Sequence, residues 1–305
     1  MMNETIQINE LPVRTWHFLG VNDTKLAWDA DAATDLGAEN LTTDSRMTLT
    51  GTGKYSRKDV TLSAKAGETR TLIQHFEGEG HLAVDTHLFL EKDARIRLVQ
   101  VFSAAEGAIS RSKITGVCAD NARIELIQIL LGAGDIYVDS HVDLNGKGAS
   151  MQADIGYLAQ KKQTFDMNLC VNHFGKKTEC AINASGALKD AASKIFRGTI
   201  DFKQGCTDSV GNEKETVLML GDDVVNKTVP LILCAEENVV GNHGASIGEM
   251  DDATLFYFES RGIDRASAEK ILARAAVERV TRTIGDSETE QAILNELYEG
   301  EEHDL

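Results

Sequence analysis

Soft sulfur, imidazole and carboxylate meet in one stretch of this sequence, PLILCAEENVVGNHGASIG, which runs from Pro230 to Gly248 and holds Cys234, Glu236, Glu237 and His243 among glycines that permit sharp turns. Such donors suit iron, and a purely structural role is the alternative. Cys170, His173 and Cys180 offer thiolate and imidazole to zinc or iron without an evident fourth ligand; since cysteine is among the most buried residue types, packing competes with ligation for Cys170 and Cys180. His75, His81 and His87 share a strand-rich region in which even spacing can place side chains on one face. Three such imidazoles can ligate a metal, or they are exposed polar strand positions. No GxSxG, HExxH, GxxxxGK[ST] or complete GxGxxG occurs, so a hydrolase elbow, a zincin site or a nucleotide loop has no support and no nucleotide is expected to bind this chain.

The elements that position these residues read mainly as strands. AVDTHLFL from Ala83, RIRLVQVF from Arg95, RIELIQIL from Arg123 and IYVDSHVDL from Ile136 alternate in polarity, as do MQADIGYL from Met151, TFDMNLCV from Thr164, CAINASGAL from Cys180, KIFRGTIDF from Lys194 and ETVLML from Glu215. From Ile136 on, the starts fall 13 to 21 residues apart with Gly, Asn, Lys or Asp in most gaps. Neither Asn-Gly hairpin turns nor long helices separate them, which favours a parallel β-solenoid over an antiparallel sandwich or a βαβ fold. After Ala245 the period becomes helical. Asp251 or Asp252 caps a short helix ending at Gly262, and Asp264 caps a second with Leu272, Ala276, Val280 and Ile284 on one face. Ser287 with Glu290 forms a capping box for a third, and the acidic tail EGEEHDL frays. The expected organisation is a small N-terminal cap region with Trp16, Phe18 and Trp28 (1–45), a β-helix core (46–248) and a C-terminal helical segment (249–305).

Bulk properties narrow the function classes. The 305 residues are 42% hydrophobic and 26% charged, an ordinary globular composition. Against 48 Asp and Glu there are 31 Lys and Arg, for a net charge of −17, which repels phosphate backbones and argues against nucleic acid. No apolar run reaches the ~20 residues that span a bilayer, and no basic start precedes an apolar stretch. Five cysteines without a CxxC suit free thiols in a reducing compartment, so a cytoplasmic location without membrane attachment is expected. A carbohydrate-active β-helix enzyme with paired carboxylates such as Asp154 and Asp166 is a competing class, weakened by an aromatic content of only 6%. A metal-free interaction solenoid is another.

The run from Pro230 to Ile263 carries a more specific signal. Pro230, the acidic pair Glu236-Glu237, His243-Gly244-Ala245, Leu255-Phe256-Tyr257 and Ser260-Arg261-Gly262-Ile263 follow in an order and spacing that resemble the SufB/SufD family of iron-sulfur cluster assembly proteins. LMLGDDVVNKTVP upstream and LPVRTWHFLGVND near the start also resemble family sequence. The resemblance implies a right-handed parallel β-helix with flanking helices. It also implies a scaffold role rather than an enzyme's, pairing through the β-helix with a SufB-like or identical subunit, and a SufC-type ABC ATPase docked on the C-terminal helices. A transient iron-sulfur cluster or iron, shared with a partner subunit, would be the cargo.

Departures choose the branch. Glu215 stands where SufB-type chains carry a cysteine, and Gly241 where many SufD-type chains carry one; Gly244 replaces the Glu that tends to follow the His in SufB-type chains. SufD-like is the closer label, with His243 the carried-over site residue. It is expected to offer neutral imidazole to iron, with Glu236 or Glu237 nearby and Cys234 as a local thiol. Tyr257, Phe258, Arg261, Ile263 and Ile271 form an apolar and cationic surface suited to docking the ATPase, with packing of the helices on the solenoid as their other role.

Overall fold

Where apolar side chains occupy every second position, a strand buries one face and leaves the other free. RIRLVQVF and RIELIQIL become strands with those limits, and in both the inward side chains pack between two sheets. The computed structural model describes residues 5–299; the acidic tail, from residue 300 on, lies outside them. One eight-stranded parallel sheet contains β3 (Thr34–Leu41), β5 (Tyr55–Ala64), β7 (His81–Leu90), β9 (Ile109–Cys118), β11 (Asp135–Leu144), β13 (Thr164–His173), β15 (Ser193–Phe202) and β17 (Val225–Cys234). The other contains β4 (Ser45–Thr50), β6 (Thr69–Glu77), β8 (Arg95–Phe102), β10 (Arg123–Leu130), β12 (Ser150–Ala159), β14 (Glu179–Lys189), β16 (Ser209–Leu220) and β18 (Val239–Gly248). The chain thus visits the odd and even sheets in turn, as the expected β-solenoid requires, and two strands make one coil. Arg95, Arg123, Ser150, Glu179, Val210 and Val240 are successive neighbours in one column.

Stacked coils repeat their turn chemistry. Asp93, Asn121, Lys177 and Asp208 all take left-handed backbone, with φ of 60°, 54°, 56° and 63°, a conformation that Asn and Asp tolerate better than most residues. Asn121 also donates its amide to Asp93 Oδ1 at 2.9 Å, tying one coil's turn to the next. Between the sheets, Phe76 stacks on Phe102 with centroids 4.4 Å apart, and each such fully buried side chain contributes about 1.5–3 kcal/mol relative to exposure. A polar spine runs through this apolar interior. Gln74, Gln100 and Gln128 are register neighbours with no exposed surface; Gln128 Nε2 donates to Gln100 Oε1 and Gln100 Nε2 to Gln74 Oε1, each at 2.8 Å.

Both flanks are covered. The N-terminal segment forms an antiparallel pair, β1 (Thr5–Ile8) with β2 (Thr24–Ala27), and lies along the outer face of the odd sheet: Asn9 Nδ2 donates to Asp166 Oδ1 at 2.6 Å, and the buried Arg197 pairs with Asp166 and donates to Val21 O. Trp28 is buried there beside Tyr55, whereas Trp16 and Phe18 are exposed. The solenoid itself begins at β3. On the other flank, α2 (Arg265–Thr281), α3 (Ser287–Glu299) and the link between them place Val277 and Val280, Ile293, and Ile284 respectively on Val99, Val101, Ile127 and Ile129 of the even sheet. Gly156 lets α2 approach closely, since a Cβ there would come 3.1 Å from Val280 Cβ. Asp251 caps α1 (Asp252–Glu259) and Asp264 caps α2, as expected. For α3 the backbone N–H of Thr289 donates to Asp286 Oδ1 at 2.9 Å, so the capping carboxylate lies one residue before the expected Ser287.

Candidate functional site

The last coil differs from those before it. β17 pairs only with β15 and β18 only with β16, so each presents a free backbone edge among the described residues. The stretch from Val239 to Gly248, whose glycines suggested sharp turns, is instead the strand β18, and nearly all of it is exposed. Strand parity sets the directions of its side chains. Phe196, Ile200 and Phe202 of β15 belong to the core, so their register neighbours Thr228, Ile232 and Cys234 on β17 share the inward row. Val217 of β16 belongs to the core, so Glu213 and Glu215 are inward too, as are their neighbours His243 and Ala245 on β18. Cys234 and His243 therefore belong to the inward rows of the two sheets at the open end of the solenoid.

The expected site residues gather at this end without forming a closed ligand set; no group of three or more His, Cys, Asp or Glu poised to hold a metal occurs among the described residues. Cys234 is exposed, and its thiol donates to Glu236 O at 3.0 Å. The Glu236 carboxylate accepts from the N–H of Gly205 at 2.9 Å and of Glu237 at 3.0 Å, and these bonds, Gly205's foremost, hold it below the usual carboxylate range. Glu236 thus orders the turn between β17 and β18. Glu237 is exposed in that same turn, and His243 is exposed with no hydrogen bond to its ring among the described residues.

Beneath them is a charged interior that sequence reading missed. Lys194, the neighbour of Phe165 and Asn226, lies in the inward row and forms an ion pair with Glu215, the two side chains being 0% and 1% exposed. Thr228 donates its hydroxyl to the other Glu215 oxygen at 2.6 Å, and the Lys194 ammonium stands 5.7 Å from the ring centroids of Tyr157 and Phe196. Burial pulls the Lys194 pKa down, against Glu215, which raises it. Glu213, 6% exposed, is pushed up to about 7 by burial first and then by the Glu215 charge. Its Oε2 has no hydrogen-bond partner. The signal for these residues was parity: Lys194 stands two positions before Phe196, and Glu213 and Glu215 four and two before Val217.

Other groupings raised by the sequence come apart. His75 is on β6 of the even sheet, while His81 and His87 are on β7 of the odd sheet. His173 Nε2 lies 3.2 Å from Cys180 Sγ inside the core, where burial lowers the histidine to about 4 and raises the thiol to about 12. Cys170 has the opposite parity to His173 on β13 and faces outward, beside His141, which a hydrogen bond to Asp139 and contact with Cys170 raise to about 10. Asp154 and Asp166 sit on outer faces of different sheets, so no groove joins those carboxylates, and Asp166 is committed to Arg197.

Of the expected docking residues, Tyr257, Arg261 and Ile271 are exposed, while Phe258 and Ile263 are half-buried. The Arg261 guanidinium covers the Tyr257 ring at 3.6 Å, and Phe256, outside the expected set, is 72% exposed, more than Tyr257 or Ile271. None of α1 is buried.

Comparison with known proteins adds a family. Residues 47–276 match the model described as the SUF system FeS cluster assembly, SufBD core domain. Similar proteins include the iron-sulfur cluster assembly protein SufD of Bacillus subtilis, 30% identical over 152 residues, covering 50% of this chain and 35% of that protein. A SufBD family protein of Mycobacterium tuberculosis is 24% identical over 271 residues, 85% of this chain and 67% of the relative. SufD of Escherichia coli is 22% identical over 237 residues, 76% and 56% of the two. These matches span from about a third to about two thirds of the relatives' own length. No helix among the described residues is long and apolar enough to cross a membrane.

Proposed function

Because this chain belongs to the SufBD family of the SUF system for iron-sulfur cluster assembly, we propose that it acts as a SufD-like, non-enzymatic scaffold subunit in the cytoplasm. It pairs through the open end of its solenoid with a SufB-like or identical subunit, and α1 with the start of α2 receives a SufC-type ATPase. The observation that carries this reading is the bare last coil. Exposed edge strands are ready templates for pairing with another chain, and this edge holds His243 and Cys234. Two such ends brought together would place an imidazole and a thiol in a protein–protein seam, where a cluster or iron could be held as cargo between subunits.

The packed part of the helical flank, α2, lies on β10, β12 and β14, while only three residues separate the end of β18 from α1, so the proposed ATPase surface is joined by a short link to the open end. At the open end, His243 supplies a neutral ring nitrogen to iron, and Cys234 a thiolate once freed from Glu236 O. Anaerobic reconstitution with iron and sulfide, after co-expression with a SufB-like subunit and a SufC-type ATPase, tests the reading. Loss of cluster in His243→Ala with the complex intact is expected; unchanged cluster content removes His243 from the site. Failure to co-purify with either partner removes the scaffold assignment.

A further inference from the structure

We infer that Glu213 is the positioning residue for His243, an inference that rests on the proposed role of His243 at the open end. The two are direct register neighbours on β16 and β18 and share the inward row. Parallel strands run ~4.8 Å apart, so a carboxylate and an imidazole in one row are within reach of each other. Each lacks what the other offers. Glu213 is 6% exposed with a buried, unpartnered Oε2, and the His243 ring has no hydrogen bond among the described residues. A buried acceptor left unsatisfied costs about 1–3 kcal/mol, so an orphan in a folded protein calls for an explanation.

Two further features reserve Glu213 for this task. The nearby cation Lys194 is committed to Glu215. Across the lumen, Gly198 makes room for the Glu213 carboxyl: a Cβ at Gly198 would lie 2.4 Å from Glu213 Cδ and Oε2. Both carboxyl oxygens lie toward Gly198, 2.4 and 2.6 Å from where a Cβ there would stand, and neither accepts a hydrogen bond among the described residues, so accepting from His243 takes a turn of the carboxyl away from Gly198. A carboxylate accepting from one ring N–H fixes the tautomer and presents the other nitrogen to a metal. When a partner covers the open end and excludes water, Glu213 and His243 close on each other, and the second ring nitrogen is directed into the seam.

The test uses the full chain labelled with ¹⁵N-histidine, alone and in the partnered complex. In the complex, wild type is expected to show His243 in one dominant tautomer and Glu213→Gln a mixture, with ferrous iron affinity in anaerobic titration falling ~10-fold or more. Gly198→Ala, which displaces the carboxyl without removing it, is expected to mix the tautomers as well, so a folding defect in one variant leaves the other as a check. If both variants fold and leave tautomer and affinity at wild-type values, Glu213 does not position His243. If His243→Ala retains full iron affinity while the tautomer still responds to Glu213→Gln, the positioning stands and the role of His243 as a ligand fails.

Discussion

The middle coils and the last coil of this solenoid handle buried polarity in opposite ways. In the middle, Gln74, Gln100 and Gln128 are neutral and give most of their hydrogen bonds to one another and to Thr86 and Ser112, with only Gln128 Oε1 and the corresponding Ser140 hydroxyl unpartnered. The adjoining outer faces are covered by the N-terminal segment and by α2 and α3. At the end the interior is charged, with Lys194, Glu213 and Glu215 in one cluster, and the strands above it are bare. A neutral amide is satisfied by the next copy of itself in a repeating stack. A charge is satisfied only by a counter-charge, water or a partner, so placing charges in the last coil ties that coil to whatever closes it.

The largest expected effect lies in the charged cluster. Lys194→Met leaves Glu215 buried without its cation and is expected to cost about 3–5 kcal/mol in urea unfolding. Adding Glu215→Leu should recover most of it, and a single-variant cost below ~1 kcal/mol would erase the distinction between the two interiors. Next comes Glu213. Its folded pKa of about 7 stands above the ~4.3 of an unfolded chain, so its contribution is complete below pH ~4 and is lost as pH rises through about 7. Glu213→Gln should therefore raise stability at pH 8 by up to about 3 kcal/mol and change it little at pH 5, as thermal melts at the two pH values would show.

The neutral spine should behave otherwise. Gln100→Leu strands the Ser112 hydroxyl and the neighbouring amides, for a loss of about 1–3 kcal/mol that is the same at pH 5 and pH 8. A loss that varied strongly with pH would contradict the neutral reading of the middle. The smallest effect on the chain itself is expected at the helices: Arg261→Glu with Ile263→Asp should shift stability by less than ~1 kcal/mol, since Arg261 is exposed and Ile263 only half-buried, while abolishing co-purification with a SufC-type ATPase. Retained co-purification would move docking away from this surface.

The same contrast explains what could be read in advance. β8 and β10 carry apolar residues at every inward position but one, and their limits were plain. β9, with Arg111, Lys113 and Thr115 facing out and Ser110 and Ser112 facing in, has too little apolar content to stand out. β18 was hidden because a strand with an uncovered face needs few apolar side chains, so its glycines and His243 look like a turn. Lys194, Glu213 and Glu215 escaped because a charge in an alternating strand is read as outward unless the parity of Phe196 and Val217 is followed through. His243 and Cys234 were found by family resemblance and residue type, whereas the acidic and cationic groups beneath them are visible only once the strands are in register.

The most direct test of the bare last coil as the pairing and assembly surface is amide hydrogen exchange of the full chain, alone and bound to a SufB-like partner or a second copy. Amides of β17 and β18, free along one edge in the chain alone, should gain strong protection on complex formation while those of β8 and β10 stay unchanged. Exchange in β18 that is the same in the complex as in the isolated chain would contradict the account.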